Sequence, residues 1–246
     1  MSHIFSHCSS LLEIDTTLFN TKEVIDMSGM FLEYSPLTSI NTSLFITDKV
    51  LDMSIMFQNC TQSKFFDVSN FNTSQFKNMS KMFSNCESLT SVDISNIDTK
   101  NVEDMAGMFN YCITLNSIDV SNFDTRKVTD MSEMFQHCEK TRFLAVQNFK
   151  TDNVTNMANM FQGCTQLSEL YLDRFKTQNV KNMSHMLENC QNLNKMDVTN
   201  FNTSKVLDMS AMFKGLLKVF ILDLNNFDTK EVVNMSSMFN GCNNMT

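Results

Sequence analysis

The sequence predicts an α/β repeat solenoid of 26-residue coils, each with a short parallel β-strand and a short helical turn. Three observations predict it. A methionine stands at Met1, Met27, Met53, Met79, Met105, Met131, Met157, Met183, Met209 and Met235, every 26 residues without a break. A constant period in the twenties marks an array whose units bury their apolar faces on one another. Around that methionine, apolar residues recur in fixed columns. Finally, five Gly and one Pro in 246 residues leave the turns to Asn, Asp, Ser and Thr, which bond their own backbone. The expectation is one domain over residues 1–246, about nine repeats that start and end mid-repeat.

The strand comes first in each unit. Measured from the Cys column (Cys8, Tyr34, Cys60, Cys86, Cys112, Cys138, Cys164, Cys190, Leu216, Cys242), the third place on is mostly Leu, as at Leu11, Leu37 and Leu89. The sixth and eighth are apolar, as at Ile118 and Val120, between polar neighbours. That alternation predicts a strand over residues 117–121 and its equivalents, with one face inward. A corner follows, as in Ser121-Asn122-Phe123-Asp124-Thr125. Its Phe should turn inward, and its Thr is present in all nine copies from Thr21 to Thr229. Val128 continues as extended chain. Asp130-Met131-Ser132-Glu133-Met134-Phe135 then has the look of a capped helix start. Met131, Met134 and Phe135 share one face of a helical turn at i, i+3 and i+4. Two stretches depart from the pattern, residues 34–46 and 214–224, without breaking the count.

The run Met-Phe-x-x-Cys-x-x-Leu-x-x-Ile-Asp-Val-Ser-Asn-Phe-Asp-Thr-x-x-Val-x-Asp-Met-Ser resembles the BspA-like leucine-rich-repeat surface proteins, in particular the mycoplasma-type surface lipoprotein repeat. The resemblance covers essentially the whole chain. It implies a leucine-rich-repeat-like solenoid displayed at a cell surface and used for adhesion or protein binding. Such proteins usually carry an export signal and an anchor. The family supplies no catalytic residues to carry over, so no enzyme is expected.

Composition narrows the partners. A net charge of −8 disfavours nucleic acid and anionic membrane, both of which need basic patches. No apolar run approaches the roughly 20 residues that span a bilayer. The N-terminal Met-Ser-His-Ile-Phe-Ser-His-Cys lacks the basic start and apolar core of a signal peptide. Open-ended repeats also leave end-to-end self-association as an expectation.

The Cys ladder reads as buried reduced thiols: there is no C-x-x-C pair and no accompanying His column, so no metal is expected. No cofactor is expected either. The Met and Phe columns read as core. His3, His7, His137 and His185 form no repeated set with Ser or Asp and read as exposed side chains. The Asp column (Asp15, Asp67, Asp93, Asp119, Asp197, Asp223) reads as a solvated face of stacked like charges, a calcium ladder being the less favoured alternative. The Asn-x-Ser/Thr sequons follow from the repeat.

The Asp column breaks in two consecutive repeats. There the outward strand positions become Phe143, Ala145 and Gln147, then Glu169, Tyr171 and Asp173, flanked by Arg142 and Arg174. Exposed aromatics and Arg are enriched in binding hot spots. These eight residues are the candidate site for a protein or host-surface ligand. A structural spacer, with no dedicated site, is the alternative.

Overall fold

Most repeats are shaped by Asx turns, in which an Asp or Asn side chain accepts the N–H two residues on. In one repeat these are Asp119 to Ser121 (3.0 Å), Asp124 to Arg126 (3.2 Å) and Asp130 to Ser132 (2.8 Å). Such a turn redirects the chain without Gly or Pro. Among the described residues six repeats carry all three, and the two consecutive repeats that follow Asp130 keep only the last, at Asn156 and Asn182. The computed structural model describes residues 1–8, 14–34 and 42–246. The expectations at Leu11 and Leu37, and most of the irregular stretch 34–46, lie outside the described residues.

The strands are shorter than predicted. β1 (Phe65–Asp67) pairs in parallel with β2 (Ser91–Asp93), Phe66 facing Val92. β3 (Glu169–Leu170) pairs in parallel with β4 (Lys195–Met196). The strand expected over residues 117–121 is reduced to one bridge, Ile118 to Leu144. The Asx turn at Asp119 ends the extended run as soon as it starts. A longer parallel ladder lies elsewhere: bridges link Asp26, Asp52, Asn78, Asp104, Asp130, Asn156, Asn182, Asp208 and Asn234 in succession.

The helical turn is corrected. There is no helix among the described residues. From Met131 to Cys138 the backbone makes chained turns instead. Met134, Gln136 and Cys138 donate N–H to the carbonyls of Met131, Glu133 and Phe135, three residues back. Met131, Glu133, Phe135 and His137 donate to Asn156, Ala158, Met160 and Gln162 of the next repeat. Alternate donors therefore serve the turn and the neighbour, and none is left over. The geometry requires a left-handed residue at Glu133 (φ 59°) and again at His137 (φ 55°). Those two columns hold all five glycines and all four histidines of the chain. Met131, Met134 and Phe135 still reach the core, fully buried.

Inside, one continuous core runs from Met27 to Met238. The Phe rings stack from Phe5 through Phe31, Phe57, Phe83, Phe109 and Phe135 to Phe161, with centroids 5.6–6.0 Å apart. The six Cys from Cys60 to Cys190 are fully buried. Each thiol donates to a Phe carbonyl in the preceding repeat, Cys112 to Phe83 at 3.1 Å for example. Burial pushes the Cys60, Cys112 and Cys164 thiols up to about 12.

The Thr column acquires a reason. Thr99 Oγ1 donates to the Asp124 carbonyl (3.1 Å) and accepts the Asp124 N–H (2.7 Å). Thr125, Thr151, Thr177 and Thr203 make the same pair of bonds to the next repeat. Only a β-branched residue with a hydroxyl keeps both the bonds and the stiff, buried methyl.

Candidate functional site

The Asp column is held by its own backbone, not merely solvated. Asp67 Oδ1 accepts the Ser69 hydroxyl (2.6 Å) and N–H (3.0 Å), and the same holds at Asp93 and Asp197. These bonds, led by the hydroxyl, hold the carboxyls below the usual range. The column breaks where the candidate site lies. Ala145 has no carboxylate to turn the chain, and the Val146 N–H bonds the Leu144 carbonyl (3.0 Å) instead. That tighter bend draws Ala145 inward. It is buried, contrary to the outward position expected for it.

The other expected residues divide into two groups. Phe143 lies on the open face with half its surface exposed, and Arg142 beside it is exposed. Glu169 is half-buried in β3, and Tyr171 follows it. Tyr171 Oη donates to Glu169 Oε2 (2.5 Å). Gln147, Asp173 and Arg174 do not stand on the strand face: they occupy the turns that follow it. Gln147 Oε1 is enclosed there with no partner.

Lys195 is a neighbour of the candidate patch that the sequence reading missed. Its Nζ donates to Tyr171 Oη (3.0 Å), lies 5.0 Å from the ring centroid and 3.8 Å from Glu169. The signal was available, since Lys195 stands 26 residues beyond Glu169 and 52 beyond Phe143 in one column. With Tyr171 engaged by both, the freest aromatic surface in this patch is Phe143.

Two shallow depressions meet at Arg142. One is lined by Asn116, Lys140, Arg142 and Gln166. The other is lined by Ser117, Ile118, Asp119, Arg142, Phe143 and Ala145, among others. Among the described residues no cluster of His, Cys, Asp or Glu is arranged to hold a metal ion.

The histidines are corrected in part. His3 and His7 are exposed, but His137 and His185 are half-buried. His137 stacks on Tyr111 at 4.5 Å. His185 Nδ1 is 2.6 Å from the Glu188 carboxylate, which Lys214 (2.9 Å) and Gln162 (2.5 Å) also contact. Burial raises the Glu188 pKa, but these bonds outweigh it and hold it below the ordinary value. Gln162 continues through Gln136 to Asn110 as a side-chain ladder. Its members satisfy one another, so it reads as structure.

A solenoid with a parallel ladder, an interior Phe stack and an open strand face defines a leucine-rich-repeat protein. Comparison supports that class. A leucine-rich repeat protein from Bacteroides ovatus superposes with a TM-score of 0.58 at 17% identity, covering 91% of this chain and 58% of that one. Others are a leucine-rich repeat protein from Eubacterium ventriosum (TM-score 0.47, 15% identity, 80% and 57% covered) and a leucine rich cell surface protein from Faecalibacterium prausnitzii (0.41, 18%, 89% and 74%). This chain thus spans little more than half the length of the first two. The sequence matches the family described as Mycoplasma protein of unknown function, DUF285, over residues 1–91, 52–143 and 135–246. The chain belongs to that family, the mycoplasma-type repeat whose motif it carries. No curated protein sequence matches it.

Proposed function

We propose that residues 1–246 form one solenoid in which each 26-residue unit is a coil, and that it is a non-enzymatic module, surface-displayed or secreted, that binds protein or host-surface ligands. The observation that carries this reading is Phe143, a large apolar ring left half-exposed beside an exposed Arg142. Aromatic and Arg side chains at the centre of a patch contribute most to protein binding. Arg142, Phe143, Glu169 and Tyr171 form the contact surface, Lys195 joins it, and Gln147, Asp173 and Arg174 form the adjoining rim. Ala145 lies beneath. Surface display, adhesion and a lipoprotein anchor are the finer parts of this reading, and the family motif supports them. No helix among the described residues is long and apolar enough to cross a membrane.

The test is binding of the purified chain to host cells and matrix proteins beside a Phe143→Asp/Tyr171→Asp variant with a matched circular dichroism spectrum. Saturable binding lost in the variant is expected; unchanged binding overturns the site. The spacer reading has its own support, since the same Thr bonds join successive repeats. A spacer would keep its function after deletion of one 26-residue unit across the patch, whereas a dedicated binder would lose it.

A further inference from the structure

The depressions on either side of Arg142 differ in charge, and the difference says what would fill them. In the first, Lys140, Arg142, Asn116 and Gln166 are all exposed. Neither Lys140 nor Arg142 has an ion-pair partner among the described residues. In a chain of net charge −8, two adjacent unpaired cations with two amides between repeats make a receptor for a single carboxylate. The second depression has the Phe143 ring and Ile118 on its wall, and Asp119 on its rim. Hydrogen bonds from Ser121 hold the Asp119 carboxyl below the usual range, so it stays charged. Asp93 stands in the preceding repeat of the same column and lines a further depression there, together with Asp119.

That arrangement discriminates between anions. An extended polyanion lying along the face would meet Asp119 and then Asp93, at about 5 Å intervals, and be repelled. A short acidic element followed by an apolar side chain meets no such barrier. We infer that this site takes an acidic segment of a partner protein, with an Asp or Glu carboxylate between Lys140 and Arg142 and an apolar side chain against Phe143. The inference rests on the protein-binding reading above and narrows its partner.

The experiment uses the full chain and an array of 12-residue peptides, each carrying Asp-Glu followed within four places by Phe or Leu. Each peptide is paired with its Asn-Gln counterpart, and a heparin-derived oligosaccharide is the competitor. Fluorescence polarisation should show acidic peptides binding at least about tenfold tighter than their amide partners, the lower end for a charge-assisted hydrogen bond. The preference should vanish in Lys140→Gln/Arg142→Gln, and Phe143→Ala should abolish the dependence on the apolar residue. Equal binding of acid and amide peptides by the unmodified chain overturns the inference without recourse to any variant. So does heparin binding that exceeds every peptide and ignores Phe143. If cell or matrix binding is lost in the Phe143/Tyr171 variant but kept in the Lys140/Arg142 variant, the protein-binding reading stands and the acidic class fails.

Discussion

At Asp104 the same side chain serves a turn and opposes folding. Its Oδ1 accepts the Ala106 N–H (2.8 Å), so the position needs an acceptor. Burial, with smaller contributions from Asp130 and Asp52 in the same column, raises its pKa above the ordinary 3.8. A folded-state pKa above the unfolded value means that the charged carboxylate costs stability at neutral pH. The cost is fully present above the raised pKa and disappears below the unfolded one. Asn fills this column at Asn78, Asn156, Asn182 and Asn234, each accepting the same turn N–H. Asp104→Asn should therefore raise the melting temperature at pH 7, and the gain should vanish as pH falls below about 4. Thermal unfolding across that range checks it; an equal gain at pH 3 would refute the electrostatic cause. Asp67, whose pKa is lowered by Ser69, has the opposite sign: its contribution is present above the unfolded pKa and is lost as pH falls through the depressed value.

At the scale of the element, the corner is a joint between repeats. Thr99 is 1% exposed, and its hydroxyl satisfies both the N–H and the carbonyl of Asp124. Thr99→Val keeps the shape and removes both partners, leaving a peptide donor and acceptor to find water at the corner. The expected loss is about 2–4 kcal/mol, from two orphaned groups at roughly 1–2 kcal/mol each. Thr99→Ser should lose less. Urea denaturation of both variants measures the difference, and a loss in Thr99→Ser with none in Thr99→Val would assign the Thr to packing alone. The turn segment after each Met teaches a related point. An Asp at this place can begin an Asx turn or cap a helix, and the i, i+3, i+4 burial of Met131, Met134 and Phe135 fits either. What separates them is the left-handed residue at Glu133. The clue was visible in the placing of Gly29, Gly107, Gly163, Gly215 and Gly241 in two columns. At Gly163 the reason is also contact: a Cβ there would come within 2.6 Å of the His137 ring on the preceding repeat.

For the whole molecule, the buried residues described form one cluster of columns from Met27 to Met238. The thiols report on it. Cys60, Cys86, Cys112, Cys138, Cys164 and Cys190 are sealed in, while Cys8 and Cys242 are half-buried. Burial raises the pKa of the inner thiols, so at pH 8 they hold almost no thiolate, the reactive form. Titration of the native chain with a thiol reagent should modify Cys8 and Cys242 first. The other six should react only after denaturant is added. Rapid reaction of all eight would mean that the array opens as a whole.

The period, the apolar columns, the Cys and Thr ladders and the motif of the family were all legible in the sequence, because each repeat meets the same neighbours and so repeats the same residues. The break in the Asp column at Ala145 and Tyr171, on which the candidate patch is proposed, is likewise a feature of the sequence. Tertiary structure decided the rest. It set the strands at two or three residues, since Asx bonding competes with the ladder, and it replaced a helix by left-handed turns whose spare donors serve the next repeat. It drew Ala145 inward and brought Lys195 to Tyr171 from 24 residues away. Those outcomes depend on which backbone donor meets which acceptor across repeats, a pairing that exists only once the repeats are stacked.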